Sequence, residues 1–201
     1  MNKDMKFNLN IPHESDSSAN KTSIIFLDID GVLRPDISLS HATFERAYQS
    51  FSPIAVGLLN RLCYETNAEL VISSNWRVDN DPEYILKYIH QALAALNTLI
   101  PNEKPLIPCY MRIFYRTPNI KESWRTPVSQ DLLDRSWEID EWLKIWGHWV
   151  KNYCILDDGK SLFSPRHYPN LVLIERGDSG FDIDYYVQAI EMLEDTPNTI
   201  E

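Results

Sequence analysis

Short apolar runs alternate along this chain with longer segments in which apolar residues recur at helical spacing. The apolar runs, at residues 24–27, 69–72, 153–156 and 171–174, are rich in Ile, Leu and Val and are bounded by polar residues. Runs of this kind are typical of strands that are buried on both faces of a parallel sheet. The alternation predicts an α/β fold, a Rossmann-like three-layer sandwich with a mostly parallel central sheet between layers of helices.

The helical segments have recognisable beginnings. Ser52 and Asp182 stand where N-cap residues are expected. Ser52 and Asp81 are each followed by Pro, which suits the first turn of a helix. A further helix is expected from Ser136 to the glycine at 147. Four tryptophans lie in this helix or just beyond it: Trp137, Trp142, Trp146 and Trp149. Their spacing favours core and near-core packing over a platform for a sugar or base. The stretch from Tyr110 to Tyr115 is a candidate for one more strand.

The chain of 201 residues is long enough for one well-formed core. We expect a single domain at 23–195, with an irregular insertion at about 101–134, between tails at 1–22 and 196–201. The polar 1–22 segment lacks the apolar centre of a secretory signal, and no apolar stretch approaches membrane-spanning length. The three cysteines are widely spaced, which favours a reducing compartment. Together these features predict a cytoplasmic protein that does not bind membranes.

The formal net charge of −10 opposes strong general binding to nucleic acid, which depends on Lys and Arg. One local exception lies between Lys104 and Arg125, where basic and aromatic residues are interleaved. Such a segment could hold a phosphorylated ligand. The interpretation we favour is a surface segment whose aromatic rings pack inward and whose charges are solvated.

The first apolar run ends in two carboxylates, Asp28 and Asp30, followed by Gly31. In open α/β sheets ligands bind beyond the carboxyl ends of the strands, so these acids are placed where a substrate and a divalent cation could reach them. The alternative is a turn in which both side chains bind local backbone amides. The sequence has further polar residues at comparable places: Ser73 and Ser74 after the second strand, Arg135 near a helix start, and Asp157 and Asp158 after a later strand.

This order of motifs resembles the haloacid dehalogenase (HAD) superfamily of phosphohydrolases. Several segments look like the compact HAD domains related to those in "Swiss Army knife" RNA repair proteins: the run from Val71 to Arg77, the segment from Arg135 to Leu143, the strand ending in the Asp157 pair, and Gly180-Phe181-Asp182. The resemblance covers about residues 23–193 and departs from the pattern within the insertion. It implies a domain that is capless or has only a minimal insertion.

The resemblance also implies roles for the residues. Asp28 would attack phosphorus and form an aspartyl phosphate, and Asp30 would protonate the leaving oxygen and then activate water. Ser73 or Ser74 and Arg135 would bind the phosphoryl group. Mg²⁺ would be the cofactor, with Asp28, Asp30, Asp157 and Asp158 as its ligands. Asp158 is the preferred direct ligand, and Asp30 would contribute its backbone carbonyl.

Some assignments stay open at this stage. A shift of one residue would exchange Ser73 and Ser74 at the site. Arg77 is a second candidate for phosphate contact, and Lys160 is a rival for Arg135. Arg135 could instead form a surface ion pair with Asp131 or Glu138, and the acid pair could be a helix cap.

We therefore expect a Mg²⁺-dependent phosphatase whose partner is a phosphorylated substrate: a nucleotide, a nucleic-acid end or a small metabolite. Two alternatives remain. One is a phosphotransferase that uses the same Asp28 nucleophile, and the other is a catalytically silent interaction or regulatory protein with this fold.

Overall fold

The computed structural model describes residues 21–35, 51–99, 106–116, 120–130, 134–175 and 180–194, without the side chains of 120 and 121. Nearly all of the two predicted tails, and the parts of the predicted insertion at 101–105, 117–119 and 131–133, lie outside these residues. So does most of the stretch between the first strand and Ser52. Among the described helices, none combines the length and the apolar character needed to cross a bilayer.

The core of the protein is a four-stranded parallel sheet with the order β2-β1-β3-β4. The strands are β1 (Thr22–Leu27), β2 (Glu69–Ile72), β3 (Val150–Asp157) and β4 (Leu171–Leu173). All four predicted strands are present, and β3 begins a few residues earlier than predicted. The α/β class and the parallel sheet are confirmed.

Helices cover both faces of the sheet. They are α1 (Pro53–Thr66), α2 (Trp76–Asp79), α3 (Pro82–Thr98), α4 (Ile120–Ser123), α5 (Arg135–Trp146) and α6 (Ile183–Leu193), with 3-10 turns at Gly147–Trp149, Lys160–Leu162 and Pro165–Asn170. Alternate residues of β1 face opposite layers, as the pleat of a strand requires. Ile25 and Leu27 pack with α1, α3 and α6, whereas Ile24 and Phe26 pack with α5. The result is the predicted three-layer arrangement.

The predicted helix starts are present with their caps. The Ser52 hydroxyl accepts from the Ala55 amide at 3.3 Å, and Asp81 and Asp182 cap α3 and α6 through their carboxylates. The α5 helix starts one residue earlier than expected and is capped by Asp134, whose Oδ1 accepts from the Trp137 amide at 2.9 Å. This earlier start makes Arg135 the first residue of the helix.

The prediction of a strand from Tyr110 to Tyr115 is wrong. Around Ile113 the chain makes only an isolated parallel bridge to Leu70, and a second isolated bridge joins Arg125 to Ile72. The two short contacts follow each other along the outer edge of β2 and satisfy its amides and carbonyls, for example from the Leu70 amide to the Arg112 carbonyl at 2.8 Å. The described part of the insertion therefore protects a sheet edge that would otherwise be open.

The tryptophans of α5 divide between the core and the surface. Trp142 and Trp146 are buried, and the Trp142 ring packs edge-on against Phe26 at 5.2 Å between centroids. Its indole N–H donates to the Ser123 carbonyl at 2.9 Å. Trp137, in contrast, is 41% exposed, so the expectation of core packing is wrong for this one position.

Candidate active site

The parallel register places the ends of three strands side by side. Leu27 of β1 pairs with Ile72 of β2 and with Leu156 of β3, so the next residue in each strand belongs to one row. Those residues are Asp28, Ser73 and Asp157. The pattern continues in hydrogen bonds, since the Asp28 amide donates to the Leu156 carbonyl and the Ser73 amide donates to the Leu27 carbonyl, both at 2.9 Å. The site is thus set by strand pairing rather than by loop conformation.

Asp28 lies at the centre of the row with only 6% of its surface exposed. Burial raises the pKa of Asp28 to about 6, although the Arg135 guanidinium and a hydrogen bond from the Ser74 side chain act in the opposite direction. The carboxylate is therefore removed from water but has a cation and a hydroxyl donor beside it. This is an environment in which a carboxylate can meet an anionic group.

Asp157 and Asp158 bring two more carboxylates to Asp28. One oxygen from each of the three acids lies within 4.8 Å of the others. Burial, and then the charge of Asp28, raise the pKa of Asp157 well above its usual range. Its Oδ1 accepts from the Gly159 amide at 2.8 Å, whereas its buried Oδ2 makes no hydrogen bond to any described residue.

Gly31 makes room for this acid cluster. Its φ of +79° is a backbone conformation that residues with a side chain rarely adopt. A Cβ atom added to Gly31 would lie 2.6 Å from Asp158 Cγ. The backbone after β1 therefore passes directly against the Asp158 carboxylate. A glycine is needed here for both the turn and the close approach.

Arg135 is the cation of the site. Its Nη2 lies 3.6 Å from Asp28 Oδ1, and its Nε lies 3.9 Å from Asp157 Oδ2. The Nε group is buried and makes no hydrogen bond within the described ranges. The alternative in which Arg135 forms an ion pair at the surface is wrong about its location, because Arg135 is buried, with only 5% of its surface exposed. The ion pair with Glu138 is present, with Arg135 Nη1 3.4 Å from Glu138 Oε2. The other suggested partner, Asp131, lies outside the described residues.

Glu138 holds two arginines in place from one helical turn beyond Arg135. It is 1% exposed, and its Oε2 lies 2.7 Å from Arg77 Nη2 and 3.4 Å from Arg135 Nη1. Its Oε1 accepts from the Ser129 amide at 3.0 Å. Arg77 is fully buried, and its donors also bind the carbonyls of Ser73, Ser74, Thr126 and Pro127. Arg77 is therefore occupied inside the protein, which removes it as a candidate for phosphate contact.

The two serines after β2 have different surroundings. The Ser74 side chain is hydrogen-bonded to Asp28. Ser73 is buried and its hydroxyl makes no hydrogen bond to a described residue, while its carbonyl accepts from Arg77 at 3.1 Å. The geometry brings Ser74 to the acid and favours it over Ser73. The ammonium group of Lys160, the rival to Arg135, lies over the Tyr168 ring, 5.4 Å from its centroid.

Asp30 stands apart from the three clustered acids. Its side chain is 49% exposed and pairs with Arg34 Nη2 at 2.6 Å. The indole N–H of Trp76 also donates to it, at 3.2 Å to Oδ1 and 3.1 Å to Oδ2. The structure therefore separates the two acids of the first motif into a buried carboxylate and a half-exposed one.

The sequence offered only weak signals for three residues around the site. Arg34 follows Asp30 by four residues and Glu138 follows Arg135 by three, spacings at which ion pairs are common but rarely informative. Trp76 lies within the run from Val71 to Arg77 that carries the resemblance, but no role followed for it from the sequence. Its role depends on a contact with Asp30 across 46 residues of sequence.

Comparisons with known proteins point to one family. A family model described as "HAD domain in Swiss Army Knife RNA repair proteins" matches residues 24–183. Searches of curated proteins and of solved structures found no match. A HAD domain suggests a phosphohydrolase type of function, and HAD domains generally use Mg²⁺. Because the match covers most of the sequence, including all of β2, β3 and β4 and most of β1, this chain belongs to the HAD domain family of Swiss Army Knife RNA repair proteins.

Proposed function

We propose that this protein is a Mg²⁺-dependent phosphomonoester hydrolase that works through an aspartyl phosphate on Asp28. The observation that carries the proposal is the position of the buried Asp28 carboxylate. It lies between the Arg135 guanidinium and the Ser74 hydroxyl and directly beside Asp157 and Asp158. A carboxylate can attack an anionic phosphoryl group only where cations and donors surround it, and this place in the sheet supplies both.

Unused polar atoms at the site support a role in binding. The Arg135 Nε–H and Asp157 Oδ2 are both buried, and neither makes a hydrogen bond to a described residue. Buried polar groups in folded proteins are nearly always satisfied, so exceptions call for a ligand or an ion. A phosphoryl oxygen would satisfy the donor, and a cation would satisfy the acceptor.

The acids present fit Mg²⁺. Asp28, Asp157 and Asp158 offer only carboxylate oxygens, which is the donor type that Mg²⁺ prefers. Three carboxylates this close repel one another, and a divalent cation would relieve the repulsion from Asp28 that, after burial, raises the pKa of Asp157. When bound, Mg²⁺ would neutralise phosphoryl charge and so let the nucleophile approach.

The protein's own groups account for the proton and bond changes. In the first step an Asp28 oxygen bonds to phosphorus, the bond from phosphorus to the ester oxygen breaks, and Asp30 gives its proton to that oxygen. In the second step Asp30 takes a proton from water. The water oxygen attacks phosphorus and the bond to Asp28 breaks, which releases inorganic phosphate. Asp30 ends protonated, as it began.

The substrate class is a proposal of its own. A nucleotide, a nucleic-acid end and a small phosphometabolite all carry the phosphomonoester that this site would recognise. The net charge of −10 disfavours broad contact with a long polyanion, whereas the family match to domains of RNA repair proteins favours nucleic-acid ends. A panel of substrates decides between them.

The test is phosphate release from an aryl phosphate and from that panel, with Mg²⁺ or with EDTA. Asp28→Asn preserves the shape of the side chain but removes the nucleophile. We expect turnover by the wild type that needs Mg²⁺ and is lost in Asp28→Asn. Transfer of phosphate to an added alcohol in place of water would identify a phosphotransferase. A folded wild-type protein that turns over nothing in the panel would contradict the proposal and favour a regulatory role.

A further inference from the structure

The half-exposed acid of the site, Asp30, is held by two side chains that come from different parts of the chain. Arg34 binds its Oδ1 at 2.6 Å, and the Trp76 indole N–H donates to both oxygens. An exposed ion pair alone adds little to stability and does not fix a carboxylate in one rotamer. A second donor from another part of the chain restricts the carboxylate further.

Trp76 itself has little freedom to move. Its ring packs edge-on against Phe51 at 5.5 Å and against Tyr88 at 6.0 Å between centroids. The Arg34 guanidinium lies over the same ring, 5.4 Å from the centroid. The indole is thus clamped between the hydrophobic core and the cation that also binds Asp30, and its N–H has a set direction.

The same short segment that places Trp76 also places Ser74. The Trp76 amide donates to the Ser74 hydroxyl at 3.4 Å, and the Ser74 side chain is hydrogen-bonded to Asp28. The turn after β2 therefore contacts both acids of the first motif, Asp28 through the serine and Asp30 through the tryptophan. One turn therefore links the positions of the two acids.

We propose that Trp76, with Arg34, positions Asp30 so that its Oδ2 faces the leaving oxygen of the substrate. The inference rests on the proposed phosphatase function and adds to it two positioning residues. Asp30 Oδ1 pairs with Arg34 and accepts a hydrogen bond from the Trp76 indole N–H. Among the contacts of the described residues, Oδ2 has only the hydrogen bond from Trp76. Oδ2 is therefore the oxygen available to carry the proton that leaves with the alcohol and returns from water.

A positioning role differs measurably from a role in packing. A phosphate ester of a simple alcohol needs a proton on its leaving oxygen, whereas a dinitrophenyl ester departs as a stable anion without one. Loss of Asp30 alignment must therefore slow transfer of the phosphoryl group to Asp28 selectively for the alkyl ester. This step is reported by kcat/KM, because hydrolysis of the aspartyl phosphate, which also uses Asp30, comes later and is common to both substrates. Loss of core packing would slow both substrates in proportion.

The experiment compares kcat/KM for ethyl phosphate and for dinitrophenyl phosphate in the presence of Mg²⁺. Trp76→Phe keeps an aromatic ring and removes the N–H. Trp149→Phe makes the same change at a half-buried tryptophan near the opposite end of β3. We expect Trp76→Phe to lower kcat/KM for ethyl phosphate about tenfold and for dinitrophenyl phosphate less than about twofold, because positioned acids contribute factors of that order or more. Trp149→Phe should change neither.

Asp30→Asn removes the acid itself and so gives the upper limit for the selective loss on ethyl phosphate. Arg34→Gln is a second positioning variant, to be used if Trp76→Phe does not fold. The same selective pattern in Arg34→Gln, at reduced size, supports the proposal. Equal losses on both substrates, or no loss, in folded Trp76→Phe and Arg34→Gln would overturn it. A wild-type protein inactive on both esters would refute the proposed function itself, which is a different result from equal losses in an active enzyme.

Discussion

Glu138→Gln tests how much of the protein's stability depends on the buried charges behind the site. The substitution keeps the size of the side chain and leaves an oxygen that can accept from the Ser129 amide. It removes the negative charge that pairs with both Arg77 and Arg135, at 2.7 and 3.4 Å. Both guanidiniums are at most 5% exposed, so water cannot replace the lost partner.

The size of the effect follows from these contacts. Removing one partner of a buried ion pair costs about 3 to 5 kcal/mol. Arg77 keeps its bonds to backbone carbonyls, such as that to Ser74 at 2.7 Å, and Arg135 keeps Asp28 nearby, so we expect the low end, about 3 kcal/mol. For a chain of this size that corresponds to a fall in melting temperature of about 6 to 12 °C.

The assay is thermal and urea unfolding of the wild type, Glu138→Gln and a matched control. Glu141→Gln changes the same residue type on the same helix, where the carboxylate pairs with Lys144 at the surface. We expect this control to differ from the wild type by less than about 1 kcal/mol, as surface pairs do. Equal stability of Glu138→Gln and Glu141→Gln would refute the account of the buried network.

Three further predictions concern the glycine, the acids and the core. Gly31→Ala should lower the free energy of unfolding by about 1 to 2 kcal/mol, because the φ of Gly31 is positive. It should also weaken Mg²⁺ binding measured by calorimetry, because the new Cβ would meet Asp158, and an unchanged Mg²⁺ affinity would contradict this. Mg²⁺ at a hundredfold excess over its Kd should stabilise the wild type by about 2.7 kcal/mol in thermal unfolding, and Asp157→Asn should abolish the gain. Trp142→Ala should cost about 3 to 5 kcal/mol in urea unfolding, whereas Trp137→Ala, at an exposed position of the same helix, should cost far less; similar costs would show that α5 packs differently.

The strands and the acids were predictable because their signals are local. The run at 24–27 is uniformly apolar and fully buried, and Asp28 follows it directly. Once the strands are parallel, the residues after them must share one edge, so the neighbourhood of Asp28 and Asp157 follows from the pattern of runs alone. The caps at Ser52 and Asp182 were predictable for the same reason.

Contacts between distant segments were not predictable. Nothing local marks Arg77 as fully buried, since apart from the nearby carbonyls of Ser73 and Ser74 its partners are carbonyls about 50 residues away and Glu138. The segment around Ile113 has strand-like residues, but only the edge of β2 decides that it makes an isolated bridge. The choice between Ser73 and Ser74 likewise depends on the turn after β2, which strand periodicity does not reach.

The most direct test of the central claim is to look for phosphate on Asp28 during turnover. Enzyme mixed with an aryl phosphate and Mg²⁺ would be quenched in acid within one turnover, digested and mapped by mass spectrometry, alongside Asp28→Asn treated identically. We expect a phosphorylated peptide whose modification lies on Asp28 and is absent from the variant. Phosphate release by the wild type with Asp28 unmodified, or undiminished release by Asp28→Asn, would contradict the account.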